Sequence, residues 1–237
     1  MELLKGLVYN VRGVWFGIKN PLLLLLGLIR FIILIVVNII LISLVLNHFH
    51  EIMEFLWQRP DNFWVAWLWK LLSWLLSLLL IVIASFISYL VSQILFSVII
   101  MDQMSRITEA RITGHVQEGQ KTSWLKLFLF LIKQEIPRTI LPVLISFFIL
   151  IIGCLTPLGP LFAIISGLIS AIFLAWDNTD LVPARRMIPL KKRVDLLKRS
   201  LLFHIGFGLL FLIPFINIIF LAFAPIGATF YFLDSQS

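Results

Sequence analysis

The sequence predicts an all-α integral membrane protein with two long transmembrane helices and two re-entrant, hemi-penetrating helical hairpins, and three observations point there. Of 237 residues, 61% are hydrophobic and 13% charged, and the mean hydropathy is +1.06, far outside the range of soluble globular domains. Two apolar blocks are long enough to cross a hydrocarbon core, which takes about 20 helical residues. Two later apolar units are instead pairs of short arms around Pro, Gly or Asn, with net basic sequence on both sides of the first and before the second.

The formal charge of +7 would point to nucleic acid in a soluble chain. Here Lys and Arg collect in loops beside apolar segments, where they set orientation and meet anionic lipid, so membrane lipid is an expected partner and nucleic acid is not. Cys154 is the single cysteine, which leaves no intramolecular disulfide, thiolate metal cluster or CxxC pair. Residues 1–20 spread their charges among apolar residues and read as an amphipathic segment, with no short apolar block and cleavage site of a signal peptide.

Residues 21–101 hold the two long spanning helices. Leu22 to Leu46 is interrupted only by Arg30 and Asn38. Lys5, Arg12 and Lys19 precede it, and the acidic stretch with Glu51, Glu54 and Asp61 follows. The positive-inside rule then puts the N-terminus in the cytoplasm. Phe63 to Met101 would make a helix nearly twice the hydrocarbon thickness, so it has to project beyond the bilayer. Its Trp64, Trp67, Trp69, Lys70 and Trp74 suit the outer interface, which leaves the span itself near Leu71 to Ile94. Residues 102–138 form a polar cytoplasmic region with turns around Gly114 and Gly119.

The first hairpin, residues 139–176, pairs Thr139–Gly153 with Leu161–Trp176 around "CLTPLGP". A basic cytoplasmic loop, 177–199, carries seven Lys or Arg against three Asp. The second hairpin, 200–234, pairs Ser200–Ile213 with Ile218–Leu233 around "PFIN". Most arms fall short of the usual spanning length of about 17 to 25 residues, which keeps both chain ends in the cytoplasm. The two tips share the order apolar, any, Pro, apolar, any, breaker, and in each an Asp, Asp177 or Asp234, follows the Pro by twenty residues. Non-helical backbone at membrane depth survives only where protein or water covers it.

Few residues can carry chemistry. Arg30 lies nine residues beyond Pro21, about 14 Å along a helix. It reads either as an anion site on a permeation path or as an arginine that snorkels to the interface. Asn217 either contacts an ion at the second tip or caps the turn. Ser85, Ser88 and Ser92 form one small polar stripe, suited to helix packing or to a pore, and His204 alone makes no metal site. No GxSxG, HExxH or phosphate-binding glycine loop occurs, so an enzyme, a cofactor and a metal are not expected.

The chain resembles the CysZ-type sulfate permeases, grouped with the etoposide-induced membrane proteins. The resemblance rests on "GLIRFIIL" followed by Asn38, "EARITG" at Glu109–Gly114, "IPRTI" around Pro137 and Arg138, and "IPLK" at Ile188–Lys191. Above all it rests on "IPFINIIFLAFAPIGATFYFLD" with Pro214, Asn217, Pro225, Gly227, Ala228 and Thr229. It implies a multi-pass protein of the bacterial inner membrane, assembled as a homo-oligomer and admitting sulfate, or a similar small anion, for cysteine synthesis. It further implies an anion-binding group at Gly27, Leu28 and Arg30, and pore or hairpin-tip roles for Pro214, Asn217, Pro225, Gly227 and Thr229. Sulfate-handling relatives carry Gly-x-Arg-Arg at the start of the first span, and here Ile29 replaces the first Arg. Ala184 stands where a second acidic residue is expected after Asp180. The alternative is a non-transporting membrane scaffold or lipid-interacting protein of the same family.

Overall fold

The computed structural model describes residues 1–56, 60, 62–117, 125, 129, 133, 136, 140, 142, 144–149, 151–153 and 155–235. Arg59, Asp61, Gly119, Pro137, Arg138 and Cys154 lie outside them. Every regular element among the described residues is helical. By contacts the chain divides into two units, residues 1–30 with 97–237, and residues 31–96.

Helix α1 (Glu2–Lys19) ends at Asn20, whose extended backbone turns the chain into α2 (Pro21–Asn47). Proline is well placed there, because the first position of a helix needs no N–H partner. α1 is two-faced in an unusual way. Its buried face is Gly6, Asn10, Gly13 and Gly17, while Leu4, Val8, Val11, Trp15 and Ile18 are exposed. Lys5, Arg12 and Lys19 recur every seven residues beside that apolar stripe, and the Lys19 ammonium sits 4.3 Å from the Trp15 ring centroid. An apolar stripe edged by cations is the pattern of a helix lying in a membrane interface.

In the 31–96 unit, α2 continues through exposed Ile32, Ile35 and Ile39 and gives way to α3 (Phe49–Leu56). Asn62 caps α4 (Phe63–Val91), its Oδ1 accepting the Trp64 N–H at 3.0 Å. Ser88 and Ser92 are buried. A π-helical turn, Ser92–Ser97, leads without a break into α5 (Val98–Thr113). The apolar block therefore extends as helix past Met101. It stops at Gly114, whose φ of 77° is the left-handed conformation that glycine adopts without a Cβ penalty.

The 1–30 and 97–237 unit holds both hairpins. α6 (Leu144–Gly153) and α7 (Gly159–Thr179) form the first. Its arms are joined by Ser146 Oγ and Ser170 Oγ at 3.0 Å and by Ser166 Oγ donating to the Ser146 carbonyl at 3.2 Å. Two short helices, α8 (Leu181–Arg185) and α9 (Leu190–Arg199), follow. α10 (Leu201–Leu209), one 3-10 turn and α11 (Ile216–Asp234) make the second hairpin. α7 and α11 each begin two residues after the tip proline, Pro157 or Pro214.

Two arms are longer than their apolar runs predict. α7 has 21 residues and α11 has 19, so that with α2 and the helix from Phe63 to Thr113 four helices are long and apolar enough to cross a membrane. α7 gains length because the helix persists through polar Asp177, Asn178 and Thr179. α11 gains it at its ends, taking in Ile216, Asn217 and Asp234, and Pro225 does not interrupt the helix.

The core of this unit is Ala175, Phe203, Phe207, Phe211, Ala224 and Ala228, with Phe203 stacked on Tyr231 at 3.6 Å between centroids. α1 crosses α10 where Gly6 meets Gly206, and α11 where Gly13 meets Gly227. A Cβ on Gly13 would stand 2.8 Å from the Gly227 Cα, so only glycine permits that approach. Asn10, fully buried between the crossings, donates from Nδ2 to the Phe207 carbonyl at 2.7 Å.

The tip of the second hairpin is a γ-turn. The Ile216 N–H donates to the Pro214 carbonyl at 2.8 Å around Phe215, whose φ is 66°. A bulky residue in that region costs of the order of 1–3 kcal/mol. Phe215→Gly should therefore raise stability by about 1 kcal/mol once the flexibility of glycine is deducted. A thermal midpoint in detergent that falls in Phe215→Gly would show that the ring, 87% exposed, has contacts worth more than the relief.

Candidate functional site

The predicted site residues separate into three places. Pro214 is exposed and Asn217 half-buried at the tip of the second hairpin. Asn217 lies inside the first turn of α11, and the helix N-terminus has no side-chain cap, so the capping reading does not hold. Pro225, Gly227 and Thr229 are buried and lie far from that tip, since the nine helical steps from Ile216 to Pro225 measure about 14 Å. They do not share a tip with Pro214 and Asn217.

The third place joins α2 to α11. Gly27 is buried, and a Cβ there would lie 3.2 Å from Phe223 Cε1. Three residues on, Arg30 shares that face; its Nη1 donates to the Leu221 carbonyl at 2.8 Å and its Nε to Ser97 Oγ at 3.3 Å. Leu28 is 53% exposed and turns away, so the structure unites Gly27 and Arg30 but leaves the Leu28 side chain outside. The guanidinium does not simply snorkel to water, because it reaches across to a backbone carbonyl of another helix. These two acceptors are a serine hydroxyl and a backbone carbonyl, both neutral oxygens.

A second polar locus escaped the residue-by-residue reading. Glu109, on α5, has no exposed surface. It accepts from Arg185 Nη2, from Arg186 Nη2 at 2.9 Å, and from the Gln117 N–H at 3.2 Å. Arg185 also donates to Asp102 Oδ1 at 3.0 Å and to Ser105 Oγ at 3.3 Å, and Asp102 accepts from Arg106 at 2.7 Å. Arg193 pairs with Asp180, both buried. Asp102 and Glu109 stand seven residues apart, two turns along one helical face. That spacing and the adjacent Arg185 and Arg186 were the available signals, but the partners lie 76 to 83 residues away in sequence.

The network reaches the buried part of α11. Ser105 Oγ lies 2.9 Å from Thr229 Oγ1, which lies 2.7 Å from the Pro225 carbonyl. At the far end of α11, Asp234 accepts from Tyr9 at 2.8 Å and from Arg12 at 3.0 Å. Burial first, and then that bond to a carboxylate, hold the Tyr9 phenol above its ordinary pKa. Asn20 ties the α1–α2 joint to α5 by accepting from Arg111. His204 is buried and bonded to Thr179 at 2.8 Å. Among the described residues no three His, Cys, Asp or Glu converge as a metal site.

Asp102, Arg106, Glu109 and Arg111 stand in or beside "EARITG", and Arg185 and Arg193 flank "IPLK", so two motifs of the resemblance lie in or beside this network. In a comparison with protein families, residues 9–222 match the one described as Sulfate transporter CysZ/Etoposide-induced protein 2.4. The chain belongs to this family. Among individually curated proteins, none matches. Membership of the CysZ/etoposide-induced family agrees with a multi-pass helical membrane protein, and it is not a family of enzymes.

Proposed function

We propose that this protein is an anion permease of the bacterial inner membrane, that sulfate is its substrate, and that the sulfate feeds cysteine synthesis. The observation that carries the reading is Arg30. It is the single cation of α2, set within an apolar helix and held by two neutral oxygens. Charge at such a position is costly and is kept where it serves an ion path. Gly27, on the same face, lets Phe223 of α11 pack closely beside α2.

In this reading both hairpins enter and leave on the cytoplasmic side, the termini are cytoplasmic, and α1 rests on the anionic leaflet by its apolar stripe and basic row. Copies of the chain assemble so that the exposed tips at Leu155 to Leu158 and Pro214 to Ile216 face protein or water. The basic sequence at both ends of the first hairpin and before the second supports this, while the lengths of α7 and α11 would also permit crossing.

Sulfate flux into proteoliposomes, with chloride and phosphate as competitors, tests the reading. A charged hydrogen bond contributes about 1.5–3 kcal/mol, so Arg30→Ala should lower flux by about ten- to a hundredfold while the protein still assembles. Unchanged flux in assembled Arg30→Ala removes its role. A wild-type protein that assembles yet carries no anion would return the family's scaffold reading, which Ile29, standing where an arginine is expected, favours.

A further inference from the structure

We propose that Pro225 is a positioning residue for Arg30: lacking an N–H, it leaves the Leu221 carbonyl to the guanidinium, and so fixes where α2 presents its charge to an anion. The inference deepens the permease reading and rests on it for substrate, though not for the contact itself.

In an α-helix the N–H of each residue donates to the carbonyl four positions earlier. For position 225 that carbonyl belongs to Leu221. Proline has no N–H, and its ring pushes the same carbonyl away from the helix axis. In an apolar setting an unclaimed carbonyl is costly, and so is a guanidinium without acceptors. The two are brought together here, since Arg30 Nη1 donates to Leu221 O at 2.8 Å.

The surrounding packing holds the pair in register. Ser97 Oγ accepts a hydrogen bond from the Arg30 Nε–H at 3.3 Å. Phe223, two residues past Leu221, lies against Gly27. On the other side of the proline turn, the Pro225 carbonyl is bonded to Thr229, and Thr229 to Ser105. Gly227 meets Gly13 backbone to backbone. A guanidinium fixed by the backbone of a second helix is preoriented, and preorientation lowers the cost of binding an anion.

The proposal turns on one N–H, and that atom can be varied alone. Pro225→Ala restores a donor to Leu221. Replacement of residue 225 by L-lactic acid, introduced by nonsense suppression, has the same methyl group but an ester oxygen in place of the N–H. In reconstituted full-length protein, Pro225→Ala should raise the KM for sulfate about tenfold with a smaller change in maximal flux, as loss of one charged hydrogen bond predicts. The lactic acid variant should restore most of the affinity. Lactic acid at Ala222 makes the Leu221 carbonyl an ester, a poorer acceptor, and should raise KM with Pro225 intact.

A readout independent of sulfate accompanies these. Arg30→Ala should shift the thermal midpoint less in the Pro225→Ala background than in the wild-type and lactic-acid-225 backgrounds. Equal behaviour of the alanine and lactic acid variants at 225 in both readouts overturns the proposal, whether both match the wild type or both are impaired. A wild type without sulfate flux sinks the permease reading instead, and the thermal coupling then still decides whether Pro225 supplies the partner of Arg30.

Discussion

Glu109→Gln is expected to destabilise the folded protein by about 3–5 kcal/mol, the usual consequence of removing one partner from a buried ion pair. Glu109 accepts from Arg185, Arg186 and the Gln117 N–H with no solvent contact. The amide has the same shape, yet it withdraws the negative charge and offers donors where only donors already point. Arg185, itself 2% exposed, would keep Asp102 as a partner and lose the other. Thermal unfolding in detergent reads the effect, and salt should change it little because the pair is shielded from solvent. Glu2→Gln is the control, since its pair with Lys5 is exposed and such pairs contribute little. A loss below about 1 kcal/mol in Glu109→Gln would mean that Asp102 alone holds Arg185 and that the network is not a fastening of the fold.

The prediction also shows what the sequence made legible. α2, the long second helix and the break at Pro214 could be read in advance, because each is local: an apolar run of spanning length, or a proline with neighbours unable to continue a helix. The left-handed end at Gly114 was readable for the same reason. The motifs of the cytoplasmic side could be recognised but not paired, since Asp102 with Arg185 and Glu109 with Arg186 are long-range choices that no spacing states. Pro225 was expected at the pore or hairpin tip, and the structure places it inside α11. A proline inside a helix is tolerated when another group takes the released carbonyl, and that group, Arg30, lies 191 residues away. The arm lengths of α7 were misjudged because helix formation by Asp177 to Thr179 depends on burial, and these three are buried, not on their hydropathy. The resemblance grouped Leu28 with Arg30, whereas near neighbours in a helix point in different directions.

The same distinction sets the expected outcome when the tip itself is erased. In the double variant Pro214→Ala with Asn217→Leu, the γ-turn at Phe215 loses the residue that starts it and a polar residue beside it, and both replacements favour helix. α10 and α11 should then join as one helix from Leu201. It need not stop before Pro225, because α11 already runs through that proline. Even to Phe223 it would be long enough to span. Lys198 and Arg199 hold its start in the cytoplasm, so the rearrangement of least cost carries the C-terminal end, with Asp234 as its one acid and no base, across the membrane. Opposing this is the docking of Phe223 to Phe232, including the contacts with Gly13 and Ser105. Orientation is set as segments enter the bilayer, before that docking is complete, so the insertion preference should prevail in a large fraction of chains. A C-terminal reporter active only in the cytoplasm should be strong in the wild type and weakened severalfold in the double variant. Equal signals from both would show that the grip of α1 and α5 on α11, and not the breakers at the tip, keeps the hairpin on one side.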